Sequence, residues 1–256
     1  MHTWQWRTWE GLPYLTCSLL EPWSHGFFTQ HFWPRSPLEL TKVLHPEASV
    51  YRLKQVHGNT VLSPTEIGSE FNEDQELTEG DGLVTEQPNQ AVWVASADCT
   101  PVLIASQRTG QVAAVHAGWR GTASKIVPEA IAKMLSLGSE LEDLRIAMGP
   151  AITGEVYQVS QQVAAEVGRS IIPHHDENAI VDALHELPHS PVLTDPHPDR
   201  VRLDVRVVNT LQIQMLGISL QQIAIAPYCT YQTTEHFFSY RREKQKKVQW
   251  SGIVSI

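Results

Sequence analysis

Disulfide scaffolding is the first thing this chain lacks. Its cysteines are Cys17, Cys99 and Cys229, an odd number without framework-like spacing in 256 residues, which points to a reducing compartment. Long apolar runs are missing too: none approaches the roughly 20 residues of a membrane span. The first ten residues, M-H-T-W-Q-W-R-T-W-E, lack the basic start and apolar stretch of a signal peptide, so the expected location is cytoplasmic. Positive charge is in short supply, with 19 Lys and Arg against 28 Asp and Glu and a net charge of −9. That balance argues against nucleic acid or an anionic membrane as partner, while leaving room for a local basic pocket. Tandem repeats and low-complexity linkers are also absent. What remains, 42% hydrophobic and 18% charged residues, describes an ordinary globule, read here as one domain over 1–256.

The centre of the chain is Gln90–Gly121. Residues 91–97 form an apolar run that ends at Asp98 and Cys99, and residues 111–115 form a second that ends at His116. A Gly-Trp-Arg-Gly turn follows, and a helix is expected over 122–138, closed by Gly138. Strand ends opening into a glycine-bounded turn are where α/β enzymes commonly place reactive groups.

Around this centre, T-W-Q-W-R and L-P-Y-L-T-C predict an opening hairpin in a Trp-rich, otherwise irregular segment 1–50. Residues 49–62 read as two strands meeting at His57-Gly58-Asn59, and 63–80 as an acidic exposed loop. Further helices are expected over 160–169, with Ser160 as N-cap, and over 203–218, stopping near Gly217. Strands are expected over 144–152 and 223–230. Residues 173–201 hold five histidines among prolines and acids, and read as a solvated loop. About three helices among many short strands make an α+β chain with a mixed sheet.

Three residues stand out for chemistry: His57, Cys99 and His116. Two imidazoles and a thiolate suit a tetrahedral metal with one open position, or a nucleophile–base pair. The alternative is one buried structural thiol and two ordinary histidines, since the spacing matches no compact zinc signature. Cys17 and Cys229 read as small core residues. Arg120, Arg241 and Arg242 are candidate anion binders, with Lys54 and Gln55 secondary to them; solvated surface arginines are the alternative. Asp98 could orient a ligand, bind a substrate base or cap a turn, and Asp81, between two glycines, reads as a turn residue.

Read in order, L-K-Q-V-H-G (53–58), G-D-G-L-V-T (80–85), A-D-C-T-P-V-L (97–103), V-H-A-G-W-R-G-T (115–122), G-P-A-I (149–152) and F-F-S-Y-R-R (237–242) resemble the YfiH family. Its members are labelled polyphenol oxidase or laccase-domain proteins, purine nucleoside phosphorylases, or peptidoglycan editing factors. The resemblance spans about 50–254 and leaves 1–50 as a divergent segment. It implies an α/β sandwich similar to cysteine-hydrolase-like domains, and a zinc held by His57, Cys99 and His116. It also implies phosphorolysis of adenosine, inosine and methylthioadenosine, with adenosine deamination; the partners are then a purine nucleoside and phosphate. Arg120 would grip the phosphate, with Arg241 or Arg242 assisting. A cysteine amidase acting on peptidoglycan precursors, with Cys99 as nucleophile, is the second expectation. A copper phenol oxidase is the third, and the chain has no H-x-H pair for it. A non-catalytic binding module is the fourth. Two departures are visible: the family's cysteine-rich G-P-C-I-G-P-C-C-Y-E-V stands here as G-P-A-I-T-G-E-V-Y-Q-V, and Gln30 stands where an Arg is usual.

Overall fold

The computed structural model describes residues 2–256. In chain order the first half comprises β1 (Trp4–Trp9), β2 (Leu12–Cys17), β3 (His25–Phe28), α1 (Pro37–Leu44), β4 (Ser49–Arg52), β5 (Val61–Leu62), α2 (Pro64–Ile67), β6 (Gly82–Val84), β7 (Gln90–Ser96), β8 (Thr100–Ser106), β9 (Val112–Ala117), α3 (Trp119–Ala123) and α4 (Ile126–Ser136). The second half comprises β10 (Leu144–Met148), β11 (Gln158–Ser160), α5 (Gln161–Gly168), α6 (Glu177–Glu186), β12 (Val192–Thr194), β13 (Arg200–Leu203), α7 (Val205–Met215), β14 (Ile223–Ile225), α8 (Tyr240–Glu243) and β15 (Gln249–Val254).

Two six-stranded sheets, ordered β1-β2-β3-β15-β7-β4 and β14-β10-β8-β9-β6-β5, face each other, and a three-stranded sheet β11-β13-β12 stands apart. Most pairings are antiparallel, but β4·β7, β5·β6 and β10·β14 are parallel, so the sheets are mixed as expected. Period-two alternation builds the layers. Along β8, Leu103 and Ala105 join Val92 and Val94 of β7 between the two sheets. Val102 and Ile104 point the other way, onto Ile126, Ile131 and Met134 of α4. On the far side, Trp93 and Val254 pack with Phe28, Phe32 and Leu40, the last from α1. The result is an α-β-β-α sandwich. A separate apolar cluster joins the small sheet to α5 and α6 through Val201, Ala165, Ile180 and Leu184.

Several expectations need correction. β4 and β5 do not form a hairpin; they lie in different sheets, and the chain between them wraps around Asp81. The centre contains three strands, because β8 intervenes between β7 and β9; Pro101, a poor strand residue, obscured it. The helix expected over 122–138 is two helices broken at Lys125, whose φ is 62°. The Thr122 carbonyl accepts from Gln212 Nε2 at 2.8 Å and from the Lys125 amide at 3.0 Å, so α3 cannot run on into α4. The 173–201 segment is no simple loop: Asp176 caps α6, and Ile180, Val181 and Leu184 bury its apolar stripe. Its five histidines are all exposed. Besides the expected β1–β2 hairpin, the first fifty residues carry β3, α1 and the start of β4. The 63–80 stretch includes α2, capped reciprocally by Ser63 and Glu66. Among the described residues, no helix is long and apolar enough to cross a membrane.

A candidate metal site at the sheet end

Strand register explains why three residues far apart in sequence meet. β8 and β9 pair antiparallel with Pro101 opposite His116 and Thr100 opposite Ala117. Extending that register by one residue sets Cys99 opposite Gly118, two positions from His116 on the same face, a diagonal pair. β6 pairs with β9 on the other side, with Gly82 opposite Val115. Asp81 therefore falls opposite His116, and the His116 amide donates to the Asp81 carbonyl at 2.7 Å. Gly118 is needed here: a Cβ at that position would lie 2.8 Å from Cys99 Sγ.

Asp81 is almost fully buried and organises the rest. Its carboxylate lies 2.8 Å from His116 Nδ1. It also accepts the amides of Val56, His57 and Gly58 at 3.2, 3.0 and 2.8 Å. Burial raises its pKa, but His116 and these amides outweigh that and hold it below the usual carboxylate value. An ionised Asp81 fixes Nδ1 of His116 as the donor and leaves Nε2 facing the site. The same carboxylate pins the turn that carries His57, whose own φ is 62°.

One ligand atom each from His57, Cys99 and His116 lies within 4.8 Å of the others. The His57 and His116 rings are 4.8 Å apart, edge to face. Burial opposes a Cys99 thiolate, but His116 and His57 outweigh it and bring the thiol down to about 6. Burial likewise opposes a charged His116, while Cys99 and Asp81 push it up to about 9. The pair thus favours a thiolate beside an imidazolium when no metal is bound. Two imidazoles, a thiolate and a carboxylate behind one of the imidazoles match the donor chemistry of a zinc-type site.

The triad forms part of the wall of a 510 Å³ cavity, together with Tyr240, Trp250 and the 245–248 segment. On the other side of Cys99 is a hollow of only 30 Å³ between Trp119, Tyr157 and Val205. The larger cavity is in the range that holds small-molecule ligands, whereas the hollow has room for about one water.

The remaining expected residues fall into distinct places. Arg120 is the second residue of α3, exposed, with its guanidinium over the Trp119 ring at 4.4 Å. Arg241 lies 4.8 Å over Tyr157 and donates to the Gln158 carbonyl. Arg242 donates to the carbonyls of Thr230, Tyr231 and Phe237 and pairs with Glu243. Gln55 spends both ends of its amide on the Ala95 backbone, at 2.8 and 2.7 Å. Lys54 pairs with Glu79 at 2.9 Å. Asp98, at φ 95°, receives the Thr230 hydroxyl on one carboxylate oxygen and the Arg241 amide on the other. It ties the C-terminal loop to the residue before the thiol. Two site residues escaped the sequence reading. Asp81 looked like a turn because its partner amides come from 23 to 25 residues earlier. Tyr157, pushed up to about 12 by burial first and by the nearby Cys99 second, stays protonated beside the thiol; no periodicity marked it.

A purine nucleoside phosphorylase of Synechocystis sp. is 52% identical over 256 residues, covering 98% of this chain and 97% of its own. A purine nucleoside phosphorylase of Deinococcus radiodurans is 39% identical over 210 residues, covering 80% of this chain and 69% of its own. In fold, the chain is similar to the crystal structure of Bacillus licheniformis hypothetical protein YfiH, with TM-score 0.81, 24% identity, and 98% and 99% of the two chains covered. It is also similar to YlmD from Geobacillus stearothermophilus, with TM-score 0.77, 24% identity, and 97% and 98% covered. The family profile described as "Multi-copper polyphenol oxidoreductase laccase" matches residues 37–255. The chain belongs to that family, the YfiH family.

Proposed function

We propose that this protein is a metal-dependent purine nucleoside phosphorylase, with zinc as the metal held by His57, Cys99 and His116. The observation that carries the reading is the convergence of those three donors on the wall of a cavity large enough for a nucleoside. The names of the relatives at 52% and 39% identity support the substrate class. Adenosine, inosine and methylthioadenosine are the expected substrates, and adenosine deamination is the expected side activity.

Phosphorolysis forms a bond from a phosphate oxygen to C1′ of the ribose and breaks the bond from C1′ to the purine nitrogen. The bonding pair leaves with the purine, which takes up a proton. A bound zinc ion supplies Lewis acidity at the triad. The chain's own contribution is positional. Asp81 fixes the His116 ring and the His57 turn, Gly118 keeps space for the thiol, and the cavity walls orient the nucleoside against both. Tyr240, 51% exposed at the edge of the cavity, offers an aromatic face on which a purine can stack.

One specific observation favours a second reading. Asp81, His116 and Cys99 in that order form a carboxylate–imidazole–thiol relay, with the thiol lowered to about 6, which suits a cysteine hydrolase acting on amides. Product chromatography from adenosine and inosine, with and without phosphate, separates the two. Free base appearing only with phosphate supports the phosphorylase. Untouched nucleoside, with cleavage of muropeptide amides, overturns it in favour of the hydrolase.

A further inference from the structure

β7 ends at Ser96, a side chain with nothing in the protein to bond. Val92 and Val94 of this strand face the space between the two large sheets, so alternation turns Ser96 the same way. Across that space β7 packs on β9, where Val112 and Ala114 also face inward and His116 continues their row. Ala97 and Asp98 then carry the chain from Ser96 over to Cys99, a step of at most about 10 Å. Ser96 and two of the triad residues thus meet at one end of the sandwich, and all of them line the 510 Å³ cavity with His57. Ser96 is 3% exposed, and its hydroxyl has no partner. The polar groups nearest along the sheet are already engaged. Gln249, directly opposite on β15, is bonded through its amide to the Phe238 backbone at 3.0 and 3.3 Å. Gln55 is bonded likewise to Ala95. Arg52 stands opposite Trp93, and Trp250 opposite Ala95, so both are on the other face of the sheet. A buried hydroxyl without a partner is costly, and one on a cavity wall marks where a ligand atom bonds.

We propose that the Ser96 hydroxyl is a substrate contact that bonds one hydroxyl of the ribose. The inference rests on the phosphorylase reading and names a further residue that touches its substrate. Charge decides what kind of group Ser96 meets. A phosphate dianion calls for cations, and none shares the inward face of β7, whose other side chains are Val92 and Val94. A sugar hydroxyl calls for a neutral partner that can both donate and accept, as serine does. Position agrees. Tyr240 holds the purine at the exposed edge of the cavity, while C1′ has to reach the triad beside the buried His116. The sugar then lies between the two, against the wall that Ser96 forms.

The test uses zinc-loaded full-length protein, wild type and Ser96→Ala, in calorimetric titrations without phosphate, so that inosine binds and phosphorolysis cannot proceed. The ligands are inosine and its 2′-, 3′- and 5′-deoxy analogues. Wild type should bind one of the three analogues about three- to tenfold more weakly than inosine, the range of one hydrogen bond between uncharged groups. Ser96→Ala should bind inosine more weakly by the same factor and should not distinguish it from that analogue. The other two analogues should keep their wild-type ratios to inosine. Zinc content should not change, and the melting temperature should hold or rise, because the substitution removes a buried group that had no partner. Equal affinity of the two proteins for inosine overturns the contact, as does a loss in Ser96→Ala that is the same for inosine and all three analogues. A fall in zinc content or melting temperature alongside weaker binding assigns Ser96 to structure and overturns it too. Failure of inosine to bind wild type overturns the contact and the phosphorylase reading together. Ser96-dependent discrimination in a protein that releases no hypoxanthine once phosphate is added keeps the contact and overturns the phosphorylase reading alone.

Discussion

Asp81 and His116 sit opposite each other across β6 and β9, joined twice: backbone to backbone at 2.7 Å and carboxylate to Nδ1 at 2.8 Å. That double connection makes the orientation of one ligand a property of the sheet itself. Because the same carboxylate gathers three amides of the 56–58 turn, the second histidine is fixed by the same group.

Replacing Asp81 with Asn should therefore loosen both ligands. An amide offers one acceptor oxygen, and its NH₂ would face donors already pointing inward. Zinc affinity should fall about 10- to 100-fold, read by competition with a chromogenic chelator. Wild-type affinity in Asp81→Asn would mean the carboxylate is only a turn residue.

Gly118→Ala probes the space around the thiol. Its φ of −74° suits alanine, so the cost is steric: the new methyl would sit 2.8 Å from Cys99 Sγ and 3.5 Å from His57 Cδ2. Overpacking of this kind destabilises by about 1–3 kcal/mol. Metal occupancy should fall with it, and full occupancy by elemental analysis would show that the thiol does not need that space.

Chelation separates the two functional readings. Dialysis against a strong chelator should stop purine release, and added zinc should restore it. Activity that survives or rises in metal-free protein belongs to a thiolate nucleophile, since the metal would then have been masking Cys99.

Much of this site was written in the sequence, and some of it was not. Asp98-Cys99 and His116-Ala117-Gly118 end recognisable apolar runs, so two ligands were visible locally. Their meeting depends on the β8–β9 register, and β8 itself was hidden by Pro101. Ser160 and the i, i+4 apolar spacing of 205–213 made α5 and α7 legible. The helix at Glu177–Glu186 has the same kind of stripe in Ile180, Val181 and Leu184, but the surrounding prolines and histidines outweighed it.

Stability should depend on pH through His25. The ring accepts from the Cys17 amide and donates to the Trp23 carbonyl, each at 2.8 Å, which requires the neutral form. Burial brings its pKa down to about 4, against which the Trp23 contact works only weakly. Unfolded, the same imidazole takes up a proton near 6.5. The neutral ring therefore costs nothing above that pH, and stability is lost as pH falls from about 6.5 to 4, by roughly 3 kcal/mol if this group acts alone. In urea unfolding, His25→Gln should flatten that part of the pH profile. Parallel profiles for the two proteins would remove His25 as the cause.

The central claim is that His57, Cys99 and His116 together hold the ion on which phosphorolysis depends. The most direct measurement is zinc content alongside phosphate-dependent release of adenine from adenosine, on wild type and on the Cys99→Ala and His116→Ala proteins. The expected result is one equivalent of zinc and phosphate-dependent adenine in wild type, with both lost together in each variant. Full activity in a metal-free Cys99→Ala protein would contradict it.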